Sequence, residues 1–233
     1  MLQVTGLSAH YGRAHILDGV ALEVAAGEVV VLLGRNGAGK STTMKAIMGL
    51  VPPSSGQVRF AGAEIAGREP FEIARLGLGY VPEERRIFTD LTVMENLEVG
   101  RRPAGPGQQA WTPERLFALF PSLGAMRDRP GGRMSGGEQQ MLTIARTLMG
   151  NPQLVLLDEP SEGLAPVIIE RMAAAIGRLK AEGLAILLSE QNLHFAQLVS
   201  DRATIIEKGR IRWSGTIPAL MAAETVREQY LSV

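Results

Sequence analysis

A glycine-rich stretch at residues 34–41, GRNGAGKS, limits the possible folds of this chain more than any other feature. It fits the phosphate-binding pattern G-x-x-x-x-G-K-S and lies between an apolar run that predicts a strand (residues 28–33) and a helical pattern (residues 41–49). Glycines let backbone N–H groups wrap an anion without Cβ clashes, and a helix N-terminus adds unpaired N–H groups and a positive dipole end. The alternative is a glycine-rich turn that matches the pattern by chance.

The residues of this loop have distinct expected roles. Lys40 brings a positive charge to the terminal phosphates of a nucleotide, and Ser41 offers a hydroxyl oxygen to Mg²⁺. The other members supply main-chain N–H groups. The residues predicted to bind the nucleotide here are Gly34, Arg35, Asn36, Gly37, Ala38, Gly39, Lys40, Ser41 and Thr42.

Two further apolar runs, at residues 153–157 and 185–189, are almost continuously hydrophobic. Such runs are typical of strands in a parallel sheet that is covered on both faces. After the first of them, Pro166 opens a helical pattern. One face of that helix carries the apolar residues Ile168, Met172, Ile176 and Leu179. The alternation of strands and helices predicts an α/β fold with a parallel sheet.

The rest of the chain is organised around this core. Its 233 residues are 45% apolar, enough for one large domain or for one domain with an inserted lobe. Turn-rich segments at residues 2–24 and 57–65 predict an antiparallel β flank. Residues 90–150 are mostly helical in pattern around a Pro/Gly loop at residues 101–107, and we interpret them as an inserted helical lobe. A hairpin is predicted around Lys208-Gly209.

Composition argues against several classes of function. The 24 Lys and Arg residues balance the 24 Asp and Glu residues, whereas nucleic-acid-binding domains are usually basic, so no nucleic-acid partner is expected. The lack of cysteine excludes disulfides and thiolate metal sites. No signal-peptide pattern opens the chain, and apolar runs such as residues 29–33 are too short to span a bilayer. We therefore expect a soluble chain that reaches a membrane only through a partner.

An acidic pair, Asp158-Glu159, directly follows the apolar run LVLL. In an open α/β sheet, ligands bind at the carboxyl ends of the strands, and Asp158 would lie at that edge. Asp158 is therefore predicted to hold Mg²⁺, and Glu159 to accept a proton from an attacking water molecule. The alternative is a strand that simply ends in two solvated carboxylates.

A Ser-Gly-Gly turn at residues 135–137 precedes a helix whose residues Met141, Ile144, Ala145 and Leu148 are predicted to face inward. Ser-x-x-Glu before an apolar run is a capping box, and this interpretation is favoured when the turn is considered alone. The functional alternative is a second helix N-terminus that binds phosphate.

The chain contains, in this order, the phosphate loop, MSGGEQ at residues 134–139 and the Asp158-Glu159 pair. With these motifs it resembles the nucleotide-binding subunits of ABC transporters over nearly its whole length. The resemblance implies a P-loop NTPase core that uses ATP and Mg²⁺, a helical lobe that carries the signature motif, and head-to-tail dimers. In such dimers, Ser135, Gly136 and Gly137 would contact ATP held mainly by the partner. Tyr11 matches the aromatic residue that stacks on adenine, although an ordinary strand aromatic is the alternative.

Three positions depart from the family pattern. Glu83 stands where the loop that links core and lobe normally has Gln, Ala165 stands in place of an Asp, and Gln191 stands in place of the switch His. His194 lies three positions further on and is interpreted as an ordinary helix residue. The resemblance still gives Glu83 a place beside the nucleotide and its metal ion, and Gln191 a catalytic place near the terminal phosphate.

These departures narrow the resemblance to ATPase subunits of branched-chain amino acid importers. The similar segments are VPEERRIF at residues 81–88, LTVMENL at 91–97, EPSEGLAP at 159–166 and EQN at 190–192. That branch implies two membrane-spanning permease subunits, a second related ATPase subunit and an extracytoplasmic substrate-binding protein, with this chain bound peripherally at the cytoplasmic face of the inner membrane. Residues 83–86 would then face a short cytoplasmic helix of a permease subunit.

Other functions stay open at this point. The equivalent subunit of a urea or short-amide importer has closely similar motifs. A homodimeric export ATPase would favour a complete set of switch residues, which this chain lacks. A soluble ABC ATPase that acts on DNA or ribosomes usually carries coiled-coil inserts, fused ATPase units or basic tails. A small-molecule P-loop kinase would not need the Ser-Gly-Gly turn at residues 135–137 to open a helix.

Overall fold

The computed structural model describes residues 1–105 and 107–231, so Pro106, in the predicted loop at residues 101–107, lies outside the described residues. The strands are β1 (Leu2–Tyr11), β2 (Ala14–Val24), β3 (Val29–Leu33), β4 (Pro53–Phe60), β5 (Ala63–Glu64), β6 (Leu78–Val81), β7 (Leu154–Asp158), β8 (Ala185–Glu190), β9 (Arg202–Glu207) and β10 (Arg210–Thr216). The helices are α1 (Lys40–Ile47), α2 (Pro70–Arg75), α3 (Val93–Gly100), α4 (Pro113–Leu119), α5 (Pro121–Gly124), α6 (Gly136–Leu148), α7 (Pro166–Ala181), α8 (Leu193–Val199), α9 (Ile217–Ala222) and α10 (Glu224–Tyr230).

The central sheet has the strand order β10-β9-β3-β8-β7-β6. Its strands from β9 to β6 run parallel, and β10 pairs antiparallel with β9 at one edge. Every residue of β3, β7 and β8 is buried. The parallel, fully covered sheet predicted from the three apolar runs is therefore confirmed, and so is the hairpin formed by β9 and β10.

Alternate residues of β3 face two hydrophobic cores. Val29, Val31 and Leu33 pack in the core that includes residues of α3 to α8, whereas Val30 and Leu32 pack in the core shared with α1 and the strands β1, β2 and β4. Because both faces meet apolar neighbours, the strand needs the continuous hydrophobicity seen in its sequence. The second core is covered by an antiparallel sheet of order β2-β1-β4-β5, which confirms the predicted β flank.

Helices α3 to α6 lie in the chain between β6 and β7, in the segment that we interpret as an inserted lobe. The predicted inward face of α6 is confirmed, because Met141, Ile144, Ala145 and Leu148 are all buried. On α7, three of the four predicted core residues are buried and the first, Ile168, is half-buried. The division of the chain into a core and a lobe stays a prediction.

Four elements were not predicted from the sequence: β6, α2, α9 and α10. β6 has only four residues, LGYV, and its two middle residues are half-buried, so it gives no periodic signal. α10 has only seven residues and none is buried; Val226 and Tyr230 pack against the core while half-buried, which is too short an apolar pattern to predict a helix. No helix in the described part of the chain has the length and apolar content needed to cross a membrane.

Gly209 fixes the β9–β10 hairpin against the phosphate loop. Its N–H donates to the carbonyl oxygen of Ala38 at 2.8 Å, its φ is +74°, and a Cβ there would lie 2.0 Å from the carbonyl oxygen of Ile16. We expect Gly209→Ala to lower the free energy of unfolding well beyond the roughly 1–2 kcal/mol that a left-handed backbone costs an L-residue. Denaturant unfolding of the purified chain measures this difference.

Gly62→Ala is the matched control, because Gly62 has a φ of +84° but no atom lies within 4 Å of the position that a Cβ would take. It carries the backbone cost without the steric one. Equal unfolding midpoints for the two variants would contradict the proposed role of close packing at Gly209.

Candidate active site

Lys40 is the most constrained side chain of the phosphate loop, which joins β3 to α1 as predicted. Only 3% of its side chain is exposed. Its Nζ donates hydrogen bonds to the carbonyl oxygens of Gly34 at 2.7 Å and Arg35 at 3.2 Å, and it lies 3.0 Å from Oε1 of Glu159. A buried ammonium group needs such partners, because an unpaired charge taken out of water is strongly unfavourable.

Asp158, the last residue of β7, accepts hydrogen bonds from three hydroxyl groups. Ser41 Oγ and Ser189 Oγ donate to its Oδ1 at 2.9 and 2.6 Å, and the hydroxyl of Tyr80 donates to its Oδ2 at 3.1 Å. Burial and the negative charge of Asp158 raise the pKa of Tyr80, so the phenol stays protonated. Sequence reasoning assigned no role to Ser189 or Tyr80, although both lie on strands that neighbour β7.

The oxygen atoms around Asp158 suit a magnesium ion. The Ser41 hydroxyl and the Asp158 carboxylate are ligands that Mg²⁺ prefers. Within the described ranges, no cluster of three or more His, Cys, Asp and Glu side chains could hold a metal ion alone. This composition is typical of Mg²⁺ sites, which are completed by phosphate oxygens and water. The two side chains therefore fit a metal ion that arrives with a nucleotide.

Glu159 has a backbone conformation that is unusual for a non-glycine residue, with φ at +46°. Its N–H donates to the carbonyl oxygen and to Oγ of Ser189, both at 3.1 Å. Its carboxylate lies between Lys40 and the side chain of Gln191, whose Nε2 donates to Oε2 at 3.3 Å. Strained residues of this kind persist where the surroundings fix them, and they are common at functional sites.

Glu190, the last residue of β8, shapes the turns around this site. Its Oε1 accepts the N–H of Ser161 at 3.0 Å, and its Oε2 accepts the N–H groups of Gln191 at 3.2 Å and Asn192 at 3.3 Å. Burial raises the pKa of Glu190. A carboxylate at the end of a continuous apolar run is the sequence signal that would have indicated this role.

Glu83 is connected to the group around Lys40 and Glu159 by a third carboxyl group, that of Glu162. The side chain of Glu162 contacts both Glu159 and Glu83, and burial together with these two carboxylates raises the pKa of Glu162. The side chains of Glu159, Glu162 and Glu83 therefore form a spatial row from the end of β7 to the loop after β6. The predicted role of Glu83 beside the nucleotide and its metal ion stays a prediction.

Tyr11 and Ser135 are not joined to the cluster around Lys40 by any hydrogen bond among residues 1–105 and 107–231. Tyr11 ends β1 and is 49% exposed. Ser135 caps α6, because its Oγ accepts the N–H of Glu138 at 3.4 Å and Glu138 Oε2 accepts the N–H of Ser135 at 2.8 Å. The capping box is thus confirmed, and Ser135 is exposed.

Comparison with known proteins gives a consistent result. Residues 17–162 match the family described as ABC transporter. BraG of Pseudomonas aeruginosa, a high-affinity branched-chain amino acid transport ATP-binding protein, is 42% identical over 99% of both chains. LivF of Archaeoglobus fulgidus, a probable protein of the same kind, is 36% identical over 96% of this chain and 95% of its own. LptB of Acidithiobacillus ferridurans, the ATP-binding protein of a lipopolysaccharide export system, is 34% identical over 99% of this chain and 96% of its own.

Solved structures agree in fold with this chain. A nucleotide-free ATP-binding cassette from an ABC transporter has a TM-score of 0.83 at 28% identity, covering 98% of this chain and 97% of its own. The ADP conformation of an ABC-transporter cassette has a TM-score of 0.82, with the same identity and coverage. The family match over residues 17–162, the relatives that match over nearly their whole length and the ATP-binding cassettes of the same fold all point to one family. The chain therefore belongs to the ABC transporter family and is an ATP-hydrolysing subunit that works with membrane permease components.

Proposed function

We propose that this ATPase drives the import of branched-chain amino acids, together with two permease subunits, a second related ATPase subunit and an extracytoplasmic binding protein. The higher identity to BraG, 42% against 34% for the exporter subunit LptB, supports import. The segments around Glu83, Ala165 and Gln191 support the same branch. The observation that carries the proposed mechanism is the buried contact between Lys40 and Glu159.

The first step is an exchange of partners at Lys40. The N–H groups of residues 34–42 hold the terminal phosphates of ATP. These phosphates replace the Glu159 carboxylate, which lies 3.0 Å from Lys40 Nζ, as the anionic partner of Lys40. Ser41 and Asp158 would hold Mg²⁺, which neutralises charge on the phosphate oxygens. ATP binding therefore releases the Glu159 carboxylate.

The second step is attack by water on the terminal phosphate, which breaks the P–O bond to the β-phosphate and releases ADP and inorganic phosphate. The released Glu159 accepts the proton of the attacking water, and Gln191, which donates to Oε2 of Glu159 at 3.3 Å, orients the carboxylate. Gln191 can donate a hydrogen bond but cannot ionise as a His can. Glu83 is linked to Glu159 through Glu162, whose side chain contacts both.

The N-terminus of α6 also binds a nucleotide in this proposal, namely the ATP of the second ATPase subunit. Ser135, Gly136 and Gly137 at the N-terminus of α6 present a hydroxyl group and free N–H groups to the ATP held on the phosphate loop of the second ATPase subunit. Tyr11, at the exposed end of β1, stacks on the adenine of the nucleotide bound to this chain. Membership of the family supports this part of the proposal.

A groove in the described part of the chain suits the permease. Its volume is about 420 Å³, and it lies between α2 and the segment after α1 on one side and the helices α3 and α6 on the other. Leu50, Phe88 and Val99 line it and are 47%, 47% and 56% exposed. Apolar side chains exposed together in this way mark interaction surfaces. A helix with an apolar face is the partner that such a groove fits.

The polar groups of the groove define the charge of that partner. Arg86, Arg102 and Arg146 line it, and none of the lining residues that the structure describes is Asp or Glu. Nη1 of Arg146 is buried without a hydrogen-bond partner among the described residues, while its Nη2 donates to the carbonyl oxygen of Arg86 at 2.7 Å. A buried donor without an acceptor is unfavourable. The three arginines of the groove favour a permease helix that presents an acidic or carbonyl group to it.

Replacement of the proposed base tests the hydrolytic mechanism. We expect Glu159→Gln to lower the rate of ATP hydrolysis by about 10²-fold or more in the assembled transporter, because the amide cannot accept the proton. Lys40→Ala should instead weaken nucleotide binding. Steady-state ATPase assays and nucleotide titrations measure both effects. Glu170→Gln, an exposed residue of α7, is the control, and wild-type turnover by Glu159→Gln would rule out the role of Glu159.

Reversal of charge in the groove tests both the partner and the substrate. The Arg86 side chain is 67% exposed, so Arg86→Glu should leave the fold intact but repel an acidic permease helix. We expect leucine uptake into proteoliposomes, with the loaded binding protein outside, to fall roughly 10-fold, the effect of one lost charge-assisted contact. ATP binding to the purified chain should not change.

Arg171→Glu, at an exposed position on α7, is the matched control for the change of charge. Undiminished uptake by Arg86→Glu would contradict the groove as the permease contact. Transport of urea in place of leucine by the wild-type complex would contradict the proposed substrate and leave the groove untouched.

A further inference from the structure

Arg85 places its guanidinium group directly against the first turn of α6. A Cβ added to Gly136 would lie 2.7 Å from Nη1, 3.3 Å from Cζ and 3.4 Å from Nη2 of Arg85. These distances place the guanidinium in the space that a side chain at position 136 would occupy. A side chain at position 136 would displace it. Arg85 is therefore held at the same helix end as the Ser135 hydroxyl group.

The main chain of Arg85 is fixed by the same helix. Arg85 and Arg86 have φ values of +62° and +50°, in the left-handed region that non-glycine residues rarely adopt. Thr143 Oγ1 donates to the carbonyl oxygen of Arg85 at 2.9 Å, and Arg146 Nη2 donates to that of Arg86 at 2.7 Å. Both donors belong to α6. Because α6 holds this turn, the Arg85 guanidinium moves with the Ser-Gly-Gly motif.

The charge of Arg85 has no counter-charge in the described part of the chain. No carboxylate lies within ion-pair distance of its guanidinium, whereas Arg86 pairs with Glu84 at 3.6 Å. The N-terminal end of a helix is itself positive, and its first N–H groups have no acceptor within the helix. A cation at this end is the reverse of the stabilising arrangement for an isolated helix. The N-terminal end of α6 and the guanidinium of Arg85 together favour the binding of an anion between them.

We propose that Arg85 binds the terminal phosphates of the ATP held by the second ATPase subunit, beside Ser135 and the N–H groups of Gly136 and Gly137. This proposal rests on the proposed function, which gives that ATP its place at the α6 N-terminus. Guanidinium groups form strong, charge-assisted hydrogen bonds with phosphate oxygens. Arg85 is thus a phosphate-binding residue that acts across the dimer, not on the nucleotide of its own phosphate loop.

The geometry gives two successive arginines different tasks. The Arg86 side chain is exposed and lines the groove proposed for the permease, whereas the Arg85 side chain points to the α6 N-terminus. A shift of this turn by the permease would therefore displace a positive charge at the opposite ATP. The turn provides a short physical route from the permease to nucleotide turnover.

The test compares the isolated chain with the assembled transporter. Arg85→Gln should leave Mg-ATP binding to the isolated full-length chain unchanged within about 2-fold, because that chain offers only its own phosphate loop. In the assembled transporter, the same variant should lower kcat/KM for ATP by about 10-fold, the effect of one charge-assisted hydrogen bond. Arg85→Lys should recover part of the loss, because it restores the charge without the planar fork.

Arg171→Gln, at an exposed position on α7 outside the groove, is the matched control for the ATPase assay, and Ser135→Arg tests the shared site itself, because its side chain would block the approach of phosphate. Loss of activity in Ser135→Arg with wild-type kcat/KM in Arg85→Gln would overturn the role of Arg85 alone. Wild-type kcat/KM in both would overturn the proposed site at α6. Weaker ATP binding to the isolated Arg85→Gln chain, or lost transport with unchanged ATPase, would also overturn the proposal.

Discussion

The buried positive charge of Lys40 is the constraint on which the rest of the site depends. With 3% of its side chain exposed, the ammonium group needs partners from within the protein, and it finds two loop carbonyl oxygens and the Glu159 carboxylate. Glu159 can reach it only because β7 lies beside β8 and ends level with Ser189. The loop, the order of the central strands and the acidic pair are therefore parts of one electrostatic arrangement.

In the proposed mechanism, the same arrangement makes the hydrolytic groups respond to a nucleotide. Glu159 is held in a left-handed conformation by Ser189 and Lys40, so its carboxylate is engaged until a stronger anion takes the ammonium group. Asp158 has a different task, because its oxygens are already shared by hydroxyl groups that suit a metal ion. Two adjacent carboxylates thus take separate roles because the neighbouring strands give them different partners.

Much of this could be predicted from the sequence, and the remainder was hidden for physical reasons. Continuous apolar runs located β3, β7 and β8, and the loop pattern located Lys40 and Ser41, since these signals are local. Ser189 and Tyr80 meet Asp158 only through strand pairing, which no local pattern reveals. The contact of Arg85 with Gly136 depends on a turn with two positive φ angles, in a segment without hydrophobic periodicity. Likewise, Ser135 showed its capping role locally, but its nucleotide role depends on a second subunit.

The central claim is that ATP displaces Glu159 from Lys40. It is tested most directly by calorimetric titration of Mg-ATP into the isolated full-length chain and its Glu159→Gln variant. Removal of the competing carboxylate leaves Lys40 without its ionic partner, so the account predicts a Kd about 10-fold lower for the variant, with Glu170→Gln equal to wild type. An unchanged or higher Kd for Glu159→Gln would contradict it.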